Sequence, residues 1–352
     1  MSLALLASLL VAPNGGAAVS LNSHRLPPSR MKFDFVALGD NRPAGAFLPP
    51  TKVFRGLLHD VGIIAPAFVV SSGDLIYGKE EPIAQFRVEA KQVKALLAAL
   101  PCPFFNAPGN HEISDRPELY REYLKWFGPT FGSFRFGAFR FLQVSTEEVG
   151  SAPGISPAEH RWLEKMFATP GPKIAFQHHP IVGRKSNESP ELVDDAEKVA
   201  SFYKDGGVKY VFQGHDHAFA HESADGLEYF LSGGAGAPLD AIPTDGGFFH
   251  FLLVHVDGEK VSADVIPSGA LEVSPSAGGV TVGNYADVDL PLGNVTVSVS
   301  RRPQAASGKV FRAKKVTDVP VRIVSVQRAK GGYLVRLSLV APKHRATVIR
   351  LR

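Results

Sequence analysis

The sequence predicts an α/β protein whose sheets are covered by helices, followed by a small β module at the C-terminus. Three observations carry this. From about residue 32 to 266, apolar strand-like runs alternate with helical patterns. After Pro267 the texture turns to glycine, serine and proline, and then to short β runs. Charge divides the chain in the same half: Arg301–Arg352 holds 14 Lys and Arg against the single acid Asp318, whereas the remainder carries 24 against 33. A basic tail on an otherwise acidic chain marks a separate unit. The division expected is a leader over 1–30, an α/β domain over 31–267, and a linker with a basic β-rich module over 268–352.

The elements follow in order. "MSLALLASLLVAP" has the apolar run of a secretory signal, followed by small residues suited to cleavage, but no Lys or Arg precedes it. A periplasmic or secreted protein is the expectation, a cytoplasmic one if this segment is not a signal. Strands are expected in "KFDFVAL", "AFVVSS", "PFFNA", "FRFLQVS", "KIAFQHH", "KYVFQG", "EYFLSGG", "FFHFLLVHV" and "KVSADVI". Helices are expected in "EPIAQFRVEAKQVKALLAAL", "RPELYREYLKWF", "SPAEHRWLEKMF" and "ELVDDAEKVASFYKDG". In the third, Ser156 is placed as N-cap, Pro157 in the first turn and Glu159 three residues after the cap. The last strands follow one another without helices, so part of the sheet is expected to be antiparallel. "PSGALEVSPSAGGVTVGN" reads as a linker or loose loops, and "VPVRIVSVQR" and "YLVRLSLVA" flank "AKGG" as a hairpin.

Composition is that of a globular protein, 45% hydrophobic and 20% charged, with no internal repeat. The lone cysteine, Cys102, excludes an internal disulfide and a thiolate metal cluster and reads as a small buried side chain. No later segment has the length and apolarity of a membrane-spanning helix.

Chemistry concentrates at five strand ends. "FVALGDNR" ends in Asp40, Asn41 and Arg42; "AFVVSSGDLIYG" supplies Asp74 and Tyr77; "PFFNAPGNHE" supplies Asn110, His111 and Glu112. "KIAFQHHP" delivers His178 and His179, and "FQGHDHAFAH" delivers His215, Asp216, His217 and His221. Ligands collect at the carboxyl ends of strands in α/β sheets, which places these loops on one edge. Carboxylate, amide oxygen and imidazole without thiolate suit Fe, Mn, Zn or Mg. A glycine precedes most of these ligands, and it is expected to let the backbone turn sharply.

Ordered as GD, GD, GNHE, a histidine before x-Pro, and GHDH, these motifs resemble the calcineurin-like metallophosphoesterase superfamily over roughly residues 32 to 240. "YFLSGGAGAPL" is similar to that family's glycine-rich run after the last histidines. The resemblance implies a four-layer α/β/β/α sandwich carrying two metal ions. It implies that Asp74 bridges them, that Asp40 and His217 belong to the first site, and that Asn110, His178 and His215 bind the second. His111 would contact substrate and aid the leaving group, and Glu112 would orient it. The first motif departs from the common Asp-x-His: Arg42 stands third. The purple acid phosphatase branch also lacks that histidine and adds a tyrosine ligand through GDxxY, which "GDLIY" matches at Tyr77. This implies iron paired with iron, zinc or manganese, a dimanganese pair being the alternative. Arg42 would either grip a phosphate oxygen or fill the space of the lost ligand.

What the resemblance implies is hydrolysis of phosphate esters, monoester or diester, by attack of a metal-bridging hydroxide. The rival is a catalytically impaired binding protein on the same fold that recognises phosphorylated or polyanionic ligands, which Arg42 makes worth stating. His179 is expected to pack behind the ligands, and His221 to lie either near substrate or at the surface. In the tail Arg322, Arg328, Arg336 and Arg350 interleave with Val, Ile and Leu, as on a half-exposed β face. That face either docks on the acidic domain or attracts polyanions.

Overall fold

The computed structural model describes residues 15–79, 81–184, 191–276, 278–312 and 315–352. The signal-like segment lies outside the described residues as far as residue 14. The chain runs β1 (Gly16–Ala17), β2 (Lys32–Leu38), α1 (Lys52–Ile64), β3 (Val69–Ser71), α2 (Ile83–Leu97), β4 (Phe104–Asn106) and α3 (Pro117–Trp126). It continues through β5 (Gly132–Phe136), β6 (Phe139–Gln143), α4 (Pro157–Phe167), β7 (Lys173–Phe176), α5 (Ala196–Asp205), β8 (Val208–Gln213), β9 (Phe219–Ala224) and β10 (Leu227–Ser232). Strands β11 (His250–Asp257) and β12 (Lys260–Pro267) close the α/β part.

These strands form two sheets, ordered β1-β5-β6-β7-β8-β10-β9 and β12-β11-β2-β3-β4. Alternation along β2 explains the layering. Phe33, Phe35 and Ala37 point into a core between the sheets, while Val36 and Leu38 pack with α1 and α2. The inter-sheet core is built from phenylalanine. Phe68 lies 5.0 Å from Phe141, 5.1 Å from Phe134 and 5.2 Å from Phe35, centroid to centroid. Helices α4 and α5 cover the outer face of the larger sheet through Trp162, Leu163, Ala200 and Tyr203. The result is the four-layer α/β/β/α sandwich. As expected, both sheets are mixed: β11 is antiparallel to β2 and β12, and β10 is antiparallel to β9 but parallel to β8.

Local signals match the chain where they were read. Ser156 Oγ accepts from the Glu159 N–H at 3.3 Å, starting α4 after Pro157. Cys102 is buried, and burial pushes its thiol up to about 12. Helix α1, absent from the sequence reading, is as well signalled as the others. Thr51 Oγ1 caps the Phe54 N–H at 3.1 Å, and Phe54, Leu57, Leu58 and Val61 fall on one buried face. Residues 15–30, expected as leader, also belong to the fold. Strand β1 extends the large sheet, and Asn22 Nδ2 donates to the carbonyls of Leu97 and Cys102.

The expected linker is a correction. It folds as β13 (Leu271–Ser276) and β14 (Gly279–Asn284), paired antiparallel with Pro275 opposite Val280. Proline is tolerated because β13 is an edge strand, and Val280 and Val282 are buried. Then follow β15 (Leu290–Val299), β16 (Ala306–Arg312), β17 (Lys315–Val319), β18 (Val321–Ala329), β19 (Gly332–Ala341) and β20 (Arg345–Leu351). They make sheets β13-β14-β20-β16-β17 and β15-β19-β18, and "AKGG" forms the β18–β19 hairpin turn. The module shares one apolar core with α1 and α2, and Asn294 Nδ2 donates to the Gly62 carbonyl. No described helix is long and apolar enough to cross a membrane.

On the outer face of β11, His255 lies between Asp34 (Nδ1–Oδ1 2.7 Å) and Asp264 (Nε2–Oδ2 3.0 Å). The hydrogen bond to Asp34, then that to Asp264, raise its pKa above the ordinary 6.5 against partial burial. A raised folded pKa stabilises fully below the unfolded value and ceases to as pH rises through the folded one. His255→Gln should therefore destabilise the protein more at about pH 5.5 than at about pH 9 in chemical denaturation. An equal loss at both would show that the imidazolium contributes nothing.

Candidate metal centre

Five loops bring the expected residues together, but from two sheets rather than one edge. Asp40 and Arg42 follow β2, Asp74 and Tyr77 follow β3, and Asn110, His111 and Glu112 follow β4, all in the smaller sheet. His178 and His179 follow β7, and His215 and His217 follow β8, in the larger one. Backbone bonds lock the loops: Asp40 N–H donates to Gly73 O, Arg42 N–H to Asp74 O, and Gly214 N–H to His178 O.

The turns differ from expectation in a telling way. The left-handed backbone falls on the ligands themselves, Asp40 (φ 60°), Asp74 (φ 56°) and His215 (φ 74°), and among the glycines before them only on Gly73 (φ 102°). Such positions are costly for non-glycine residues and are held by their surroundings. Two of the glycines serve to make room. A Cβ on Gly109 would lie 2.2 Å from Asp74 Oδ1, and one on Gly214 would lie 2.5 Å from Asp40 Oδ2.

The first of two clusters gathers bare lone pairs. His178 Nδ1 sits 2.8 Å from the Ser72 carbonyl, which can only accept, so its proton is there and Nε2 is bare. His215 Nε2 sits 3.0 Å from the Glu191 carboxylate, which leaves Nδ1 bare. Burial holds His178 well below its ordinary pKa and, with the neighbouring His179, brings His215 to about 4, so both rings are neutral near pH 7. The two bare nitrogens face each other at 3.2 Å. Asn110 Oδ1 lies 3.1 Å and Asp74 Oδ1 3.5 Å from His178 Nε2. Four acceptors with no hydrogen between them repel one another, and a cation is what satisfies them. The residues therefore fit a metal.

The second cluster is Asp40, Asp74 and His217, with ligand atoms within 4.8 Å of one another. His217 Nδ1 pairs with Pro238 O at 2.6 Å, turning Nε2 toward Asp40 Oδ1 at 3.7 Å. Burial pulls His217 down, but the Asp240 hydrogen bond and the charge of Asp40 outweigh it and lift it to about 9. Burial raises Asp40 to about 8 against the attraction of His217. Asp74 is held well below the carboxylate range: burial pushes it up, and the Arg42 guanidinium and the His111 backbone N–H are among the groups that outweigh it. Arg42 Nε donates to Asp74 Oδ2 at 3.3 Å, with its side chain 16% exposed. The Tyr77 ring stands 5.9 Å from the Arg42 guanidinium carbon and 5.2 Å from the His111 ring.

His111 and Glu112 divide the work differently from expectation. Glu112 does not bond the His111 ring. Its carboxylate accepts from the N–H groups of Asp74 (3.1 Å), Ile76 (3.0 Å) and Gly109 (2.8 Å), fully buried, so it ties the β3 and β4 loops together. The His111 ring is oriented by the Tyr77 carbonyl at Nδ1, and Nε2 lies 3.9 Å from Asp74 Oδ2. His179, expected behind the ligands, stands beside them: a ring nitrogen lies within 4.8 Å of the ligand nitrogens of His178 and His215, its ring is tilted 3.9 Å from that of His215, and Nδ1 bonds Glu147 at 2.6 Å. His221 points away, bonding Glu228 at 2.8 Å and stacking on Phe230. Sequence reasoning missed Glu147 and Glu191, whose carboxylates meet the ring nitrogens of His179 and His215, and Asp240, which accepts the His217 backbone N–H at 2.9 Å and lies 3.2 Å from its ring Nδ1. No spacing rule connects them to the rings they serve.

The sequence profile of calcineurin-like phosphoesterases matches residues 36–219. The chain belongs to that family. Among curated relatives, the human serine/threonine-protein phosphatase CPPED1 is 28% identical over 196 residues, 51% of this chain and 62% of that protein. Its Danio rerio counterpart is 28% identical over 193 residues, 49% and 61%. The matched stretch thus spans less than two thirds of either relative. Among solved structures, a dimetal phosphatase from Danio rerio superposes with TM-score 0.50 at 17% identity, over 67% of this chain and 96% of that one. GAP50, the anchor in the inner membrane complex of Plasmodium, gives 0.52 at 14% identity, over 68% and 86%. Both likenesses are of fold alone.

Gly109→Ala tests the packing of the centre. The added methyl should push the Asp74 carboxylate aside and weaken metal binding by about tenfold or more in a titration of chelator-treated protein. Unchanged affinity would mean that Asp74 does not need its observed position.

Proposed function

We propose that this chain hydrolyses phosphate monoesters with metal ions held at the ends of β2, β3, β4, β7 and β8. The observation that carries the reading is the convergence of His178 Nε2, His215 Nδ1, Asn110 Oδ1 and Asp74 Oδ1 with no proton among them. These four would hold one ion, and Asp40, Asp74, His217 and Tyr77 would hold the other. Bound together, the ions would supply a water acidified enough to attack phosphorus and would neutralise phosphoryl charge. His111, with Nδ1 donating to the Tyr77 carbonyl, would pass a proton to the ester oxygen that leaves only when Nε2 is protonated as well. The names of the curated relatives favour a monoester over a diester. The signal-like N-terminus supports an exported enzyme.

The test is turnover of p-nitrophenyl phosphate and of its bis ester, side by side, with manganese, zinc or iron supplied. The monoester should be hydrolysed faster, chelator should stop the reaction, and Asp74→Ala should lose metal binding and turnover together. Activity persisting in Asp74→Ala would refute the assignment. Loading with ferric iron reads the Tyr77 role. A visible phenolate-to-iron charge-transfer band that Tyr77→Phe removes would support purple acid phosphatase chemistry, and its absence would exclude it. A chain that binds metal but turns over neither ester would be the impaired binding protein, which the Arg42–Asp74 pair favours.

We further propose that the basic module binds polyanions. Its contact with the α/β domain is mainly apolar, through α1 and α2, with the Asn294–Gly62 hydrogen bond beside it, and the exposed Arg322, Arg336 and Arg350 make no ion pair among the described residues. Cations left unpaired are available to phosphates or other polymeric anions. Replacing these three with Gln should lower the salt concentration that elutes the protein from heparin, without changing turnover. Unchanged elution would sink the idea.

A further inference from the structure

The two clusters share Asp74, yet they are not equivalent, and the difference is Arg42. Asp74 divides its oxygens. Oδ1 faces the His178 cluster at 3.5 Å and accepts the His111 N–H at 3.1 Å. Oδ2 accepts from Arg42 Nε at 3.3 Å. The His178 cluster thus contains four acceptors and no cation. The Asp40 cluster contains a cation already, because guanidinium stays protonated at any pH the protein survives. It is also poorer in free lone pairs, since both oxygens of Asp40 accept the His215 N–H at 3.1 Å.

Arg42 is not placed there loosely. Its own N–H and that of Asn41 both donate to the Asp74 carbonyl, at 2.9 and 3.1 Å, so the backbone carrying the guanidinium is bonded to the loop carrying the carboxylate. Nη1 donates to the Pro43 carbonyl at 3.3 Å, and the Tyr77 ring flanks the head group. Where the common family pattern supplies another neutral ligand, this chain supplies a fixed positive charge on the shared carboxylate.

We propose that Arg42 is a resident counter-cation that makes the metal centre unequal: the His178, His215, Asn110 and Asp74 site fills tightly, and the Asp40, Asp74 and His217 site fills weakly. This rests on the metal-centre reading above. A divalent ion entering the second site meets a like charge on the very carboxylate it must share. A polar ligand at position 42 would remove the repulsion and return Oδ2 to the metal.

The experiment is equilibrium titration of chelator-treated full-length protein with Mn²⁺, read by bound metal per chain and by electron paramagnetic resonance. Wild type should bind one equivalent tightly and a second at least about tenfold more weakly. Its spectrum at one equivalent should be that of isolated Mn²⁺. Arg42→His should tighten the second equivalent to within about tenfold of the first and give a spin-coupled spectrum at two equivalents. Asp40→Asn should abolish the weak equivalent and keep the tight one, which assigns the order of filling. Two equal equivalents in wild type, or an Arg42→His protein that still binds the second weakly, would overturn the role of Arg42 while leaving the metal centre standing. Failure of every variant to bind Mn²⁺ would overturn the metal centre itself, and this inference with it.

Discussion

The carboxylate of Asp74 is the constraint on which the site depends. It is buried, charged, shared by two clusters, and fed by loops of both sheets. A buried anion is tolerated only when paired and hydrogen-bonded. Here the pairing comes from the Arg42 guanidinium on Oδ2 and the His111 backbone N–H on Oδ1. Glu112 fixes the Asp74 backbone from below, and Gly109 leaves space that any side chain would fill. Magnitudes say why Arg42 matters. At an effective dielectric of about 20, unit charges about 4 Å apart interact by about 4 kcal/mol, and a divalent ion doubles this. About 1.4 kcal/mol already separates two sites tenfold, so one resident guanidinium is enough to rank them.

The sandwich exists to bring these loops to one mouth. The phenylalanine core mates the sheet that carries Asp40, Asp74 and Asn110 with the sheet that carries His178, His215 and His217. Truncating a ring as buried as Phe68 costs about 3–5 kcal/mol by transfer and cavity terms, and it would loosen one half of the ligand set against the other. Helix α1 links this arrangement to the C-terminal module. Its buried face joins the core that holds Leu292, Val295 and Leu337. At its N-terminus the capping Thr51 lies so close to Gly236 that a Cβ there would come within 2.5 Å of Oγ1. The module is therefore bonded to the framework of the site, rather than tethered by a linker.

What the sequence made legible was the ligand set and its topology. Asp40, Asp74, Asn110, His178, His215 and His217 could be read because strand ends, motif order and donor chemistry agree. Helix α1 has a cap in Thr51 and an apolar face in Phe54, Leu57, Leu58 and Val61, both legible in the sequence. The hairpin β13–β14 was obscured by Pro275 and four glycines and serines around it, which at an edge strand do not prevent pairing. The placement of Glu112, Glu147, Glu191 and Asp240 was out of reach for a different reason. Each acts on residues distant in sequence, as Asp240 does on His217 and Glu147 on His179, and such contacts leave no periodic trace. Arg42 was visible as a departure, but its bond to Asp74 became visible only when β2 and β3 lay side by side.

The central claim is that four lone pairs from two sheets are held together for a cation. Anomalous diffraction from crystals of the protein grown with Mn²⁺ tests it most directly. The account predicts a strong peak bounded by His178 Nε2, His215 Nδ1, Asn110 Oδ1 and Asp74 Oδ1. Density showing those four groups bonded to one another or to water, with manganese absent or bound elsewhere, would contradict it.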